Sequence, residues 1–279
     1  MLLWRRRCVV LLPCVLLTAV HSRAQSPQNS HAKVELIAEQ STAPPGQPFW
    51  VGLLFRLDPG WHIYWQNPGD SGQPPTVQWQ LPAGFTAGAI RWPQPIRLAT
   101  GTVVDYGYEG QVLLMVPIKA PLALHFTRMP SVSADVKYIV CREICIPGKA
   151  HLTLAPPPGD DWARWRALFA QTRQQLPRPA PWSVTVEAIQ SQIILTVRGA
   201  PQVSTTMFFP LEPDQIDNAS KQEFEATRTG FRLRMKKSDL LVKPIKNLRG
   251  LIVLAPGRAF EIGGDGLTIN GTPVHGSGN

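Results

Sequence analysis

The sequence predicts an all-β protein with two β-sandwich domains and one amphipathic helix between them. Proline and glycine are abundant, at 28 and 22 of the 279 residues, and both disfavour the interior of helices. Turn-forming residues recur about every 8–12 positions, as they do between the strands of sandwiches. Between these turns, apolar and polar side chains alternate in the pattern of half-buried strands. A helical spacing of apolar residues occurs in a single stretch.

Residues 1–24 are predicted to be a cleaved secretory signal peptide. Arginines at positions 5–7 precede an apolar run from Cys8 to Val20, and small residues precede the expected cleavage after Ala24. The apolar run is shorter than the ~20 residues that a membrane-spanning helix needs. We therefore expect an exported, soluble mature protein.

The net charge of +9 is a weak indication of nucleic-acid binding. Residues 1–24 hold four of the 28 basic residues and no acidic residue, so their removal lowers the net charge to +5. The remaining charges are scattered, whereas nucleic-acid-binding proteins concentrate lysine and arginine in a patch. We therefore expect no nucleic-acid partner. Cleavage also leaves only two cysteines, Cys141 and Cys145, in a compartment where disulfides persist.

Residues 27–158 are predicted to form the first sandwich. Turns are expected at 44–46 and 58–60, where proline and glycine cluster, and a loop without an assigned chemical role at 67–72. The predicted strands are 49–57, 61–65, 77–81, 89–92, 112–118, 131–140 and 150–154.

Residues 159–181 are predicted to form one amphipathic helix and a proline-rich linker. Asp160 or Asp161 can cap the helix, and prolines at 177, 179 and 181 prevent it from continuing. The apolar residues at helical spacing are Trp162, Trp165, Leu168, Phe169 and Leu176. We expect this aromatic stripe to dock on a neighbouring sheet rather than to bind a ligand.

Residues 182–275 are predicted to form a second all-β domain. This segment contains no cysteine and a single histidine, His275, so no catalytic constellation is predicted in it. The pair Asn270–Gly271 predicts a hairpin turn. The predicted strands are 183–188, 193–198, 206–209, 231–235, 250–254 and 267–269.

The chemistry of the mature chain is expected at Cys141 and Cys145, and the spacing allows three interpretations. A structural disulfide across so short a loop would contribute about 2 kcal/mol. A copper or zinc site would need a histidine ligand, for which His62, His125 and His151 are candidates. A redox pair needs one sulfur that a partner can reach and a second that resolves the mixed disulfide.

Three ordered motifs resemble a known family. They are DPGWHIYWQNPGDSG at 58–72, DYGYEG at 105–110 and VCREICIPG at 140–148. Together they resemble the periplasmic N-terminal region of the DsbD/ScsB thiol:disulfide interchange proteins, most closely the ScsB-type branch associated with copper tolerance. The resemblance covers roughly residues 30–155. It implies an immunoglobulin-like first domain, a periplasmic location and no cofactor.

The resemblance also implies roles for individual residues. In that family, a cysteine pair exchanges electrons with protein partners, and an aromatic cap loop shields the pair until a partner docks. The implied site residues are Cys141 and Cys145 for exchange, with Asp105, Tyr106, Tyr108, Tyr64 and His62 in a cap loop or gate. The cap loop is expected at 105–108, with Tyr106 or Tyr108 as its covering ring.

The resemblance therefore predicts a thiol:disulfide oxidoreductase of the protein-disulfide reductase type. The family's membrane segment and C-terminal thioredoxin domain are not recognisable in this sequence. We therefore expect a separately encoded, membrane-embedded DsbD/ScsB-like electron donor. The expected acceptors are periplasmic isomerases and thioredoxin-like proteins, including those of cytochrome c maturation and copper resistance. The alternative is a periplasmic copper-handling or partner-binding module, in which the pair is a metal ligand set or a structural disulfide.

Overall fold

The structure is a computed structural model. It describes residues 31–42, 47–121, 130–157, 159, 161–242, 245, 247–263, 267–269 and 272–274. The predicted signal peptide at 1–24 lies outside the described residues. In the part of the chain that is described, no helix is both long and apolar enough to cross a membrane.

The first sandwich consists of two facing sheets. Its strands are β1 (Ala32–Ala38), β2 (Phe49–Leu57), β3 (His62–Gly69), β4 (Thr76–Gln80), β5 (Thr86–Ala87), β6 (Ile96–Thr100), β7 (Val103–Glu109), β8 (Gln111–Lys119), β9 (Ser133–Cys141) and β10 (Cys145–Thr153). One sheet has the strand order β1-β2-β8-β5, and the other has the order β10-β9-β3-β7-β6, with β4 paired to β9.

Strand β2 shows how the sequence builds this sandwich. Its odd-numbered residues, such as Val51 and Phe55, point into the core between the two sheets. On the opposite face, Leu54 packs into a second cluster with helical side chains. Successive strand residues point to opposite faces, so a strand covered on both sides is apolar almost throughout. Burial on both faces explains why the alternation in 49–57 is only rough.

The single helix of the described chain, α1 (Trp162–Gln175), covers the outer face of the β1-β2-β8-β5 sheet. Trp165 and Phe169 are buried against that sheet. The Asp161 side chain accepts a hydrogen bond from the Arg164 amide at 3.2 Å and caps the helix. Near the other end, Arg173 donates two hydrogen bonds of 2.6 Å to the Glu39 carboxylate. The aromatic stripe thus docks on a sheet, as the helical spacing predicts.

The second sandwich follows the helix. Its strands are β11 (Arg178–Pro179), β12 (Ser183–Ile189), β13 (Gln192–Arg198), β14 (Met207–Pro210), β15 (Glu223–Thr227), β16 (Gly230–Lys236), β17 (Gly250–Ala255), β18 (Arg258–Ile262), β19 (Leu267–Ile269) and β20 (Thr272–Val274). The sheets have the orders β11-β18-β17-β14 and β15-β16-β13-β12-β19-β20. Strand β11 lies in the predicted linker but pairs with β18. Strands β19 and β20 pair in antiparallel fashion, and the turn predicted at 270–271 lies outside the described residues.

The β11-β18-β17-β14 sheet joins the two sandwiches. Phe208 and Ile252 belong to the core of the second sandwich. Their neighbours Phe209 and Leu251 point the other way and belong to the core cluster of the first sandwich. The two domains therefore share apolar packing, and the predicted all-β class with one helix is confirmed.

Several stretches of the first sandwich differ from the predicted strands. Residues 89–92 do not form a strand and contribute only an isolated bridge from Arg91 to Met115. Strands β6 and β7 form where no strand was predicted. Both strands pair along their length, β6 with β7 and β7 also with β3. Strand β6 pairs with its neighbour β7 in a hairpin, whereas the other edge of β7 is paired by β3, which is distant in sequence.

Candidate functional site

The two cysteines close the tip of the β9–β10 hairpin. Cys141 ends β9 and Cys145 begins β10, and the two residues lie directly opposite each other in the antiparallel register. Their Cα atoms are 4.2 Å apart and their side chains form a disulfide. Residues 142–144 make the connection, in which the Arg142 amide donates to the Ile144 carbonyl at 3.1 Å.

The two halves of the disulfide differ in accessibility. Cys141 is buried, with 2% of its surface exposed, whereas Cys145 is exposed. Beside Cys145, the apolar side chain of Ile144 is 64% exposed at the tip of the hairpin. The disulfide is therefore accessible from the side of Cys145.

Tyr64 contacts the buried sulfur. On β3, Ile63 and Trp65 point into the core, so alternation directs Tyr64 to the opposite face, where β3 meets the end of β9. The Tyr64 hydroxyl donates a hydrogen bond to Cys141 Sγ at 2.9 Å and lies 3.6 Å from Cys145 Sγ. The aromatic strand therefore places one phenol next to both sulfur atoms.

A glycine-rich loop at 69–72 covers the Tyr64 ring. Gly72 has φ +69°, and a Cβ atom there would lie 2.1 Å from Cζ of Tyr64, so glycine is required both for the backbone and for the close approach. The neighbouring Ser71 hydroxyl lies 3.4 Å from the Tyr64 hydroxyl. Tyr64 is fully buried as a result, although it lies on the outer face of its sheet.

Beneath this loop, Asp105 and His62 form a cluster of polar side chains with Ser71. The amide and the hydroxyl of Ser71 each donate to the Asp105 carboxylate at 2.9 Å. Nε2 of His62 lies 3.8 Å from Oδ2 of Asp105 and has no hydrogen-bond partner among the described residues. The His62 ring also meets the Tyr64 ring edge-on, with the centroids 5.2 Å apart.

Burial sets the charge state of these groups. It raises the pKa of the Tyr64 phenol, so Tyr64 remains a hydrogen-bond donor. It also raises the pKa of the Asp105 carboxyl, although the hydrogen bonds from Ser71 lower it in part. Burial lowers the pKa of His62, against the attraction of the Asp105 and Glu109 carboxylates. The charged forms of all three side chains are therefore disfavoured beside the disulfide.

Residues 105–108, predicted to be a cap loop, instead lie inside strand β7, which is paired on both edges. Alternation directs Tyr106 and Tyr108 into the core cluster. The Tyr106 hydroxyl donates to Oδ1 of Asn218 and the Tyr108 hydroxyl donates to the Pro93 carbonyl, each at 2.8 Å. The structure therefore brings His62, Tyr64 and Asp105 to the cysteine pair but places Tyr106 and Tyr108 on the other face of the strand.

Of the candidate histidine ligands, His62 lies opposite Cys141 in the sheet, whereas His151 lies further along β10. His151 lies on β10 and pairs with Asp135 on β9, with Nδ1 of the histidine 2.7 Å from Oδ1 of the aspartate. His125 lies outside the described residues. Within the described ranges, no three side chains of the His, Cys, Asp or Glu type come together to hold a metal ion.

Sequence reasoning missed Ser71 and Gly72. The loop at 67–72 was assigned no chemistry because its proline and glycine content is typical of any tight turn. The available signal was Asp70–Ser71 between two glycines, since short polar side chains in a tight turn often bond to nearby backbone.

The comparisons with known proteins agree with this geometry. The family model for the N-terminal part of the thiol:disulfide interchange protein DsbD matches residues 33–157. That range contains the hairpin disulfide, Tyr64 and Asp105. Residues 33–157 are thus similar to the N-terminal domain of DsbD. The predicted family resemblance is thereby confirmed for this domain, and the DsbD N-terminal family supports thiol–disulfide redox chemistry at its cysteine pair.

The architecture beyond the DsbD N-terminal domain also has a counterpart. The crystal structure of the N-terminal periplasmic domain of ScsB from Proteus mirabilis matches with a TM-score of 0.65 at 18% identity, covering 86% of this chain and 94% of that chain. At this identity, the match shows a shared fold that extends into the second sandwich. The periplasmic chaperone SfaE and the tandem Ig repeats of Dlar match with TM-scores of only 0.22 and 0.21, at 11% and 10% identity. They cover 85% and 86% of this chain and 100% and 99% of theirs. No curated protein matches the sequence.

Proposed function

We propose that the protein is a thiol:disulfide interchange module that relays reducing equivalents between protein partners through Cys141 and Cys145. The observation that carries this proposal is the asymmetry of the disulfide. Cys145 is exposed at a hairpin tip, whereas Cys141 is buried with its sulfur against a tyrosine hydroxyl. A disulfide that only staples a hairpin needs neither an accessible half nor a hydrogen-bond donor at its buried sulfur.

The asymmetry assigns a direction to the exchange. A partner thiolate attacks Sγ of Cys145, the disulfide bond breaks, and Sγ of Cys141 leaves as a thiolate while a mixed disulfide forms. The partner's second thiol then displaces Cys145, so the partner is oxidised to a disulfide and the pair receives two electrons and two protons. Towards an acceptor the steps run in reverse: Cys145 attacks and Cys141 resolves.

Tyr64 supports the departure of Cys141. In the disulfide, its hydroxyl already donates to the sulfur that will carry the negative charge, at 2.9 Å. Hydrogen bonds to charged groups are stronger than those to neutral groups, so this contact favours the thiolate over the disulfide sulfur. A leaving thiol of lower pKa departs faster.

The partners and the compartment follow from the family. We propose that the protein works in the periplasm after removal of a signal peptide. Its proposed electron source is a separate membrane-embedded protein of the DsbD/ScsB type, and its proposed acceptors are thioredoxin-like or isomerase proteins. The exposed Ile144 gives such partners an apolar contact beside Cys145.

Single cysteine variants test the direction of exchange. The protein with Cys141→Ser keeps the exposed thiol, so after incubation with an oxidised thioredoxin-fold protein we expect a stable mixed disulfide at Cys145. The matched Cys145→Ser variant keeps only the buried thiol and should trap little. Equal trapping by both variants, or trapping by neither, would contradict the proposal.

A further inference from the structure

The second sandwich makes two contacts at the loop 69–72 that covers the disulfide site, one at Asn67 just before the loop and one at Asp70 within it. At the first contact, Nδ2 of the buried Asn67 donates to the Pro210 carbonyl at 2.8 Å and faces the Glu212 carbonyl at 3.3 Å. At the second contact, Asp70 accepts a hydrogen bond of 2.8 Å from Nδ2 of Asn218. The residues that cover Tyr64 lie between these contacts or directly beside them.

Asn218 is held in one orientation by the first sandwich. Its Oδ1 accepts the Tyr106 hydroxyl at 2.8 Å, which leaves the amide Nδ2 directed at Asp70. Its backbone carbonyl accepts from Nη2 of Arg97 at 3.2 Å. The asparagine therefore bridges two side chains of the first sandwich that are not bonded to each other.

The contact at Asp70 leads directly to the site. Oδ2 of Asp70 accepts the Val104 amide at 2.7 Å, and its own amide donates to the Val104 carbonyl at 3.0 Å. Ser71, which follows Asp70 in the loop, and Asp105, which follows Val104 in β7, form the bonds that place the Ser71 hydroxyl beside Tyr64. A displaced Asp70 would therefore displace Ser71 from Tyr64.

We propose that Asn218 of the second sandwich is a positioning residue for thiol exchange, which acts through Asp70 and Ser71 to keep the Tyr64 hydroxyl on Cys141. This proposal rests on the proposed function of the cysteine pair. It gives the second sandwich, which lies outside the matched family region, a part in the chemistry of the first.

The test measures how fast dithiothreitol reduces the disulfide in the full chain, with Asn218→Ala compared with the wild type. Loss of the bond to Asp70 should slow reduction about three- to tenfold, which lies in the lower part of the range expected when contacting residues are energetically coupled. The variant Asn218→Asp should be slower still, because it sets a second carboxylate against Asp70. The matched control is Gln94→Ala, which removes a different contact between the domains, from the Gly257 amide at 3.0 Å.

A double-mutant cycle separates positioning from general stability. If Asn218 acts through Ser71, the effects of Asn218→Ala and Ser71→Ala on the rate must be less than additive. Additive effects would overturn the proposal. So would a rate for Asn218→Ala equal to that of Gln94→Ala, or a faster reduction, which would mean that the contact shields the disulfide. A wild-type disulfide that resists dithiothreitol would instead contradict the proposed function itself.

Discussion

Replacing Tyr64 with phenylalanine removes one atom from the site, the hydroxyl oxygen 2.9 Å from Cys141 Sγ. The ring keeps its packing under Gly72, so the change isolates the hydrogen bond. A hydrogen bond to a charged group contributes about 1.5–3 kcal/mol, so its loss should destabilise the Cys141 thiolate by a similar amount.

The kinetic effect follows from the charge on the departing sulfur. With about half of the full charge developed in the transition state, the barrier rises by about 0.8–1.5 kcal/mol and exchange slows about four- to twelvefold. The assay is reduction by excess dithiothreitol, quenched by alkylation and read by mass. Tyr138→Phe is the matched control, because Tyr138 is a buried core tyrosine whose hydroxyl makes only a 3.4 Å contact to the Ala32 carbonyl. Equal rates for Tyr64→Phe and the wild type would refute the reasoning.

Three further predictions concern other parts of the molecule. Phe169→Ala removes a fully buried ring between the helix and its sheet. It should lower the free energy of unfolding by about 3–5 kcal/mol in a denaturant titration. A loss below about 1 kcal/mol would mean that the helix is not docked there. The folded pKa of His62 is lowered from 6.5 by burial despite Asp105 and Glu109, so the unfolded chain binds more protons. Stability should therefore fall as pH drops from about 7 through the folded pKa, and His62→Gln should reduce this dependence; an unchanged dependence would contradict the assignment. Ile144→Ser should leave the free energy of unfolding within about 0.5 kcal/mol of the wild-type value and leave the rate of reduction by dithiothreitol unchanged. It should slow exchange with a thioredoxin-fold protein. Equal rates of exchange for the variant and the wild type would exclude Ile144 as a docking contact.

The sequence predicted most of the fold because the sandwich cores are built from local alternation. Strand β7 does alternate, with Val104, Tyr106 and Tyr108 in the core cluster, but the family resemblance assigned 105–108 to a cap loop. The helix could be predicted because apolar residues such as Trp165 and Phe169 are four positions apart, whereas apolar residues in strands are two apart. The Asp161 cap marks where the helix begins.

The site was only partly predictable. The two cysteines and Tyr64 could be found from the motifs, because each belongs to a short, distinctive run. Neither the burial of Cys141 nor the exposure of Cys145 follows from spacing, since both depend on how β9 meets β3 and on the loop at 69–72. The contact from Asn218 to Asp70 joins residues 148 positions apart, and no local pattern marks it.

The reduction potential of the Cys141–Cys145 pair tests the central claim most directly. The full chain is equilibrated in buffers of defined thiol–disulfide ratio, and the fraction reduced is read by alkylation and mass. An interchange module should be half-reduced at a potential above about −300 mV, so that thiol proteins can both reduce and oxidise it. A pair that stays oxidised well below about −300 mV would be a structural disulfide and would contradict the account.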